Sequence, residues 1–163
     1  MLRITKLADY GIVILTYLAS NRESTYTARD MSRIVQLPHP VVSKILKQLG
    51  KAGLLTSQRG TKGGYGLSRN PQDITVAAVI RALEGPIAIA ECIDVNRDCN
   101  LELGCPVRTH WHFINHAIQC ALEKITLAEM TKPLNQSLVN LNLQAQQATT
   151  KVLDMNYERE QRH

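Results

Sequence analysis

The sequence predicts a mainly α-helical chain with a small β-hairpin wing: a winged helix-turn-helix followed by a long dimerisation helix. Three observations predict it. Short amphipathic segments succeed one another up to residue 53, separated by capping and proline signals. The glycine-rich stretch "RGTKGGY" stands between two short runs of strand character. A long apolar stripe at helical spacing then follows a loop that carries three cysteines.

The first helix is expected over roughly 5–19, with Thr5 as its N-cap, because Leu7, Tyr10, Gly11, Ile14, Leu15 and Leu18 recur at helical spacing. Arg3 and Lys6 ahead of an apolar run resemble a signal peptide only superficially. Asp9 interrupts the run, and no A-x-A-like cleavage site follows. The second helix is "TARDMSRIVQL", opened by Thr27 with Asp30 three residues later, a variant of the capping box. "LPHP" ends it, since each proline disfavours helix in the residue before it, and Pro40 suits the first turn of a third helix. That helix, "PVVSKILKQLGKAG", has Val41, Val42, Ile45, Leu46 and Leu49 on one face and Ser43, Lys44, Lys47 and Lys51 on the other, with Gly53 at its end. Gln48 falls nearer the apolar edge and is not counted with the outer face. "LLTSQ" and "YGLSR" are strands joined by a tight turn.

Two helices joined by a tight turn, the second basic on its outer face, and a basic hairpin after them are the layout of a DNA reader. Charge supports this. Residues 1–86 hold twelve Lys/Arg against five Asp/Glu, whereas 87–163 hold seven against nine, so the net +5 of the chain comes from its N-terminal half. Ser43, Lys44 and Lys47 are expected to meet base edges or phosphates, Lys51 to meet phosphate only, and Arg59 and Lys62 to meet phosphate or the minor groove. His39 is read as an exposed loop histidine.

A helix over about 75–84 stops at "GP", and residues 91–110, "ECIDVNRDCNLELGCPVRTH", follow. Cys92, Cys99 and Cys105 are spaced C-x6-C-x5-C, unlike the paired C-x2-C of structural zinc knuckles or the runs of ferredoxins. No segment is long enough to span a bilayer, and the expected compartment is the cytoplasm, where thiols stay reduced. Three soft ligands on one loop suit zinc, copper(I) or an iron-sulfur cluster, and the same thiols can also form a regulatory disulfide. Cys120, within the next helix, is expected to be a small buried apolar side chain. That helix is expected to run over 107–129 through Val107, Trp111, Ile114, Ile118, Leu122 and Ile125, and to pair with a second copy of the chain. An enzyme is not expected: "GTKGGYG" lacks P-loop spacing, and neither GxSxG nor HExxH is present.

From "LRITKLADYGIVILTYLA" through "RGTKGGYGL" to the three cysteines and "ITLAEM", over about residues 1–132, the chain resembles the IscR/NsrR family of bacterial winged-helix regulators. Its opening looks most like regulators of the SUF iron-sulfur assembly operon, with the nitric-oxide-sensing branch next. The resemblance implies a homodimer bound to double-stranded promoter DNA, with a [2Fe-2S] or [4Fe-4S] cluster held by Cys92, Cys99 and Cys105. IscR-like members carry a histidine three residues after the last cysteine, where this chain has Arg108, a poor ligand because guanidinium stays protonated. Asp9 matches the position from which NsrR-like members supply an aspartate from the partner subunit; His110, His112 and His116 are the alternatives. The expected organisation is a DNA-binding domain at 1–86, a cluster loop at 87–106, a dimerisation helix at 107–132 and a polar tail at 133–163.

Overall fold

The computed structural model describes residues 4–58, 60, 63–94, 99 and 104–133. Arg59 and Lys62 of the hairpin turn, and the tail from 134 onward, lie outside the described residues. Helix α1 (Lys6–Ser20) begins where Thr5 accepts from the N–H groups of Leu7 and Ala8. It turns Ala8, Gly11, Ile14, Leu15 and Leu18 inward. Helix α2 (Ala28–Ile34) starts with a complete capping box: Thr27 Oγ accepts from the Asp30 N–H, and the Asp30 carboxylate accepts from the Thr27 N–H and hydroxyl.

The hydroxyl of Thr27, then its N–H and the nearby Arg33 and Arg29, hold the Asp30 carboxyl below its ordinary value of 3.8 despite a smaller opposing effect of desolvation. A carboxyl whose folded pKa is depressed stabilises the fold above its unfolded value and loses that contribution as pH falls through the lowered one. Acidification from pH 5 to pH 3 is therefore expected to lower the thermal midpoint of the wild type by more than that of Asp30→Asn. Parallel midpoints across that range would show that the box carries no such linkage.

Helix α3 (His39–Lys51) follows the tight turn and buries Val42, Ile45, Leu46 and Leu49 completely. It ends in a Schellman motif, with Gly53 at φ 71° one residue past the cap, the Leu54 N–H bound to the Leu49 carbonyl (3.0 Å) and the Gly53 N–H to that of Gly50 (3.1 Å). Strands β1 (Leu55–Gln58) and β2 (Gly64–Leu67) pair antiparallel, Leu55 opposite Leu67 and Ser57 opposite Tyr65.

The hairpin is tied to the helices at one point. Tyr26 and Tyr65 exchange both backbone hydrogen bonds (3.1 and 2.8 Å), so the turn before α2 acts as a one-residue third strand. Gly64 permits this approach, since a Cβ there would stand 2.7 Å from the Tyr26 backbone. Gly64→Ala is expected to cost about 1–3 kcal/mol, the range for overpacking a site that cannot give. Gly11→Ala makes a shorter contact, 2.2 Å, but with the tip of the Leu83 side chain, which can rotate away. Urea melts should rank Gly64→Ala as the more damaging change; the reverse order would mean that the hairpin yields more readily than the core.

After a single 3-10 turn at Pro71–Asp73, helix α4 (Val76–Glu84) is capped by Thr75 and stopped by Gly85. Ile74, Val79 and Leu83 join the core formed by α1 and α3.

The helix expected over 107–129 is two helices. Helix α5 (Arg108–Lys124) ends at Ile125, which is extended, and Thr126 caps the short helix α6 (Leu127–Met130) with a second capping box to Glu129. The break has a partner: the Val76 N–H binds the Ile125 carbonyl and the Leu127 N–H the Ile74 carbonyl, each at 2.9 Å. Backbone pairing with the entry to α4 replaces helical bonds at 125–126, and Leu127 becomes fully buried against the core.

Candidate functional site

Basic side chains gather where α3 meets the hairpin. Lys44 and Lys47, one helical step apart, and Lys51, one turn later, are exposed. Among the described residues, none of the three has a carboxylate partner. With Gln48, Gly50, Leu55, Ser57 and Tyr65 they line a cleft of about 550 Å³ open to solvent. The fold thus brings Lys44, Lys47 and Lys51 to one basic surface, with half-buried Ser43 on the same helix.

Gln48 is the residue that sequence reasoning set aside and the structure brings into this cleft. It is half-buried, and its Oε1 is fully enclosed without a hydrogen-bond partner. The helical wheel showed it near the apolar edge; only the hairpin folding back on α3 turns that edge into a cleft wall.

The second group is the cysteine loop. All three cysteines are free thiols and half-buried. Cys92 sits in a turn closed by the Ile93 N–H to the Ala90 carbonyl (3.1 Å), and Cys105 sits at the entry to α5, where its carbonyl accepts from the Arg108 N–H (3.3 Å). The donor set is that of a thiophilic metal or cluster. Among the described residues, however, no three His, Cys, Asp or Glu side chains stand close enough together to hold a metal ion. Asp9 is exposed in the first turn of α1, and His110, His112 and His116 are exposed on α5.

Cys120 departs from the buried apolar role expected of it: it is half-buried, and its Sγ lies 3.5 Å from Nε2 of His116, one turn earlier. Sequence spacing already allowed that contact, because residues four apart on a helix face each other.

Helix α5 carries the expected apolar stripe but does not bury it. Val107, just before the helix, is 46% exposed, and Trp111 and Ile114 are each 40% exposed; Phe113, on another side of the helix, is 74% exposed. The helix buries only one residue, Asn115. Among the described residues, no helix is long and apolar enough to cross a membrane.

A profile of the Rrf2 family, described as an iron-dependent transcriptional regulator, matches residues 4–133. The chain belongs to the Rrf2 family. Among its relatives, the transcriptional regulator NsrR of Bacillus subtilis (strain 168) is 29% identical over 135 residues, covering 80% of this chain and 91% of NsrR. Among the solved structures that share the fold are two regulators. CymR, the global cysteine regulator of B. subtilis, superposes with a TM-score of 0.64 at 30% identity, over 80% of this chain and 97% of CymR. IscR of T. potens gives 0.62 at 29%, over 79% and 85%. Membership makes this Rrf2 chain a transcriptional regulator rather than an enzyme, with the winged-helix architecture its sequence predicts.

Proposed function

We propose that this Rrf2 protein binds promoter DNA as a homodimer and reports iron-sulfur cluster status through Cys92, Cys99 and Cys105, with SUF assembly genes as its target. The observation that carries the reading is a basic helix beside a hairpin in the same compact unit as three free thiols that lie within fourteen residues of one another in sequence. The similarity to NsrR and IscR supports a cluster as the ligand, and the opening "LRITKLADYG" supports the SUF branch.

Each protein group has a task in this reading. Lys44, Lys47 and Ser43 meet base edges or phosphates, Lys51 meets phosphate, and Arg59 and Lys62 meet phosphate or the minor groove. The thiolates supply three ligands to a [2Fe-2S] or [4Fe-4S] cluster, whose redox and ligand-exchange chemistry provides the signal. Asp9 of the partner subunit supplies the fourth, with His110 as the alternative. Because α1 packs on α3, a ligand drawn from Asp9 ties the loop to the helix that presents Lys44 and Lys47. The spacing of two recognition helices must match the spacing of two half-sites, so such a tie converts cluster state into affinity. The exposed stripe of Trp111 and Ile114 is the surface for the second copy.

A second reading keeps the DNA interface and makes the three thiols a redox switch without metal; the free cysteines and the similarity to a cysteine regulator favour it as the rival. Anaerobic purification with a visible spectrum and iron and sulfide analysis decides between them. A coloured protein whose absorption is lost in Cys92→Ala supports the cluster. A protein that stays colourless after reconstitution with iron and sulfide rejects it and leaves the thiol switch.

A further inference from the structure

Asn115 is the only buried polar residue among those described, and it is the sole buried residue of α5. Burying an amide is costly unless both of its ends are paired. Here both are. Its Oδ1 accepts from the Ile89 N–H (3.2 Å), and its Nδ2 donates to the Ile87 carbonyl (3.0 Å). One turn later, Gln119 donates its Nε2 to the same carbonyl (3.0 Å). Segment 87–89 belongs to no helix or strand, so these side chains give its backbone the partners that secondary structure would otherwise supply.

We infer that Asn115, seconded by Gln119, is a positioning residue for the cysteine loop: the amide clamp fixes segment 87–89, and through it Cys92, on the helix that begins three residues after Cys105. The inference rests on reading the loop as a ligand site. Cys92 follows the clamped Ile89 by three residues, inside the turn that starts at Ala90. Cys105 is joined to the start of the same helix by the Arg108 N–H. Both outer thiols therefore take their reference from α5, and a ligand bridging them meets two prepositioned donors, which lowers the ordering cost of binding. Glu123 on α5 pairs with Arg81 on α4, so the clamped helix is also linked to the winged-helix core.

The test uses the full chain with Asn115→Leu, Asn115→Asp and Gln119→Leu. Trypsin cuts after Arg81, Arg97, Arg108 and Lys124, which places Cys92 and Cys120 on separate peptides. Iodoacetamide labelling of the metal-free protein can then be read at each. Asn115→Leu is expected to speed Cys92 labelling about tenfold, the factor equivalent to about 1.4 kcal/mol of lost hydrogen bonding, and to leave Cys120 unchanged. Asn115→Asp keeps the acceptor for Ile89 but replaces the donor to the Ile87 carbonyl with a second acceptor, so it should protect Cys92 less than the wild type does. Iron and sulfide retention should fall in the same order.

An unchanged Cys92 rate, or Cys92 and Cys120 accelerating together, overturns the proposal, because the first shows no clamp and the second only a loosened helix. If Asn115→Leu does not fold, Gln119→Leu and Asn115→Asp give the same comparison. A wild type that takes up no iron or sulfide defeats the cluster reading, while the labelling still decides the clamp.

Discussion

Replacing Lys44, Lys47 and Lys51 together with alanine is expected to weaken DNA binding about a hundredfold per bound chain at 0.15 M salt, and to flatten its salt dependence. The estimate comes from counterion release: each phosphate contact contributes about 0.9 to the slope of log affinity against log salt, so three contacts remove about 2.7. Extrapolated from 1 M to 0.15 M salt, that slope is worth about two decades. The three side chains are exposed and unpaired with carboxylates among the described residues, so their removal should leave the fold intact.

Single substitutions separate their roles. Lys51, at the far end of α3, should weaken all sequences alike; Lys44, near its start, should also change preference between sequences if it reaches a base edge. Fluorescence anisotropy on a promoter fragment and a scrambled duplex, across a salt series, reads both. A triple variant with the wild-type slope would remove this surface from the interface.

The helix-turn-helix was legible because its signals are local. Thr5, Thr27 and Asp30 announce helix starts through hydrogen bonds within three residues, and each forms as expected. Val42, Ile45, Leu46 and Leu49 reveal α3 by period alone. The cysteine loop was legible as three thiols close in sequence but not as geometry, since spacing along the chain does not place Cys92 relative to Cys105. What places segment 87–89 is Asn115, 26 and 28 residues away, and a lone asparagine in an exposed helix carries no signal of that kind. Gln48 was hidden for a similar reason. Its cleft exists only because Tyr26 and Tyr65 pair and dock the hairpin.

The break at Ile125 is the instructive case, because a signal was present and was outweighed. Ile118, Leu122 and Ile125 keep the apolar stripe in phase through the break, so periodicity continues smoothly into the wrong helix. Yet "TLAE" at 126–129 is a capping box as plain as the one at Thr27, and two β-branched residues, Ile125 and Thr126, precede the new start. The consequence is measurable. Leu127→Ala is expected to destabilise the chain by about 2–5 kcal/mol, the range for emptying a fully buried leucine site, which is a large part of the roughly 5–15 kcal/mol that holds a domain of this size. Ile114→Ala, 40% exposed on α5, should change the stability of an isolated chain by no more than about 0.5 kcal/mol. Its effect should instead lie in association, as a dimer that dissociates at higher protein concentration. Urea melts at two protein concentrations distinguish the pair: the Leu127 variant carries a loss that does not depend on concentration, and the Ile114 variant a loss that shrinks as concentration rises. Should Leu127→Ala behave like Ile114→Ala, residues 127–130 belong with the proposed dimer surface and not with the core on which α1 and α3 rest.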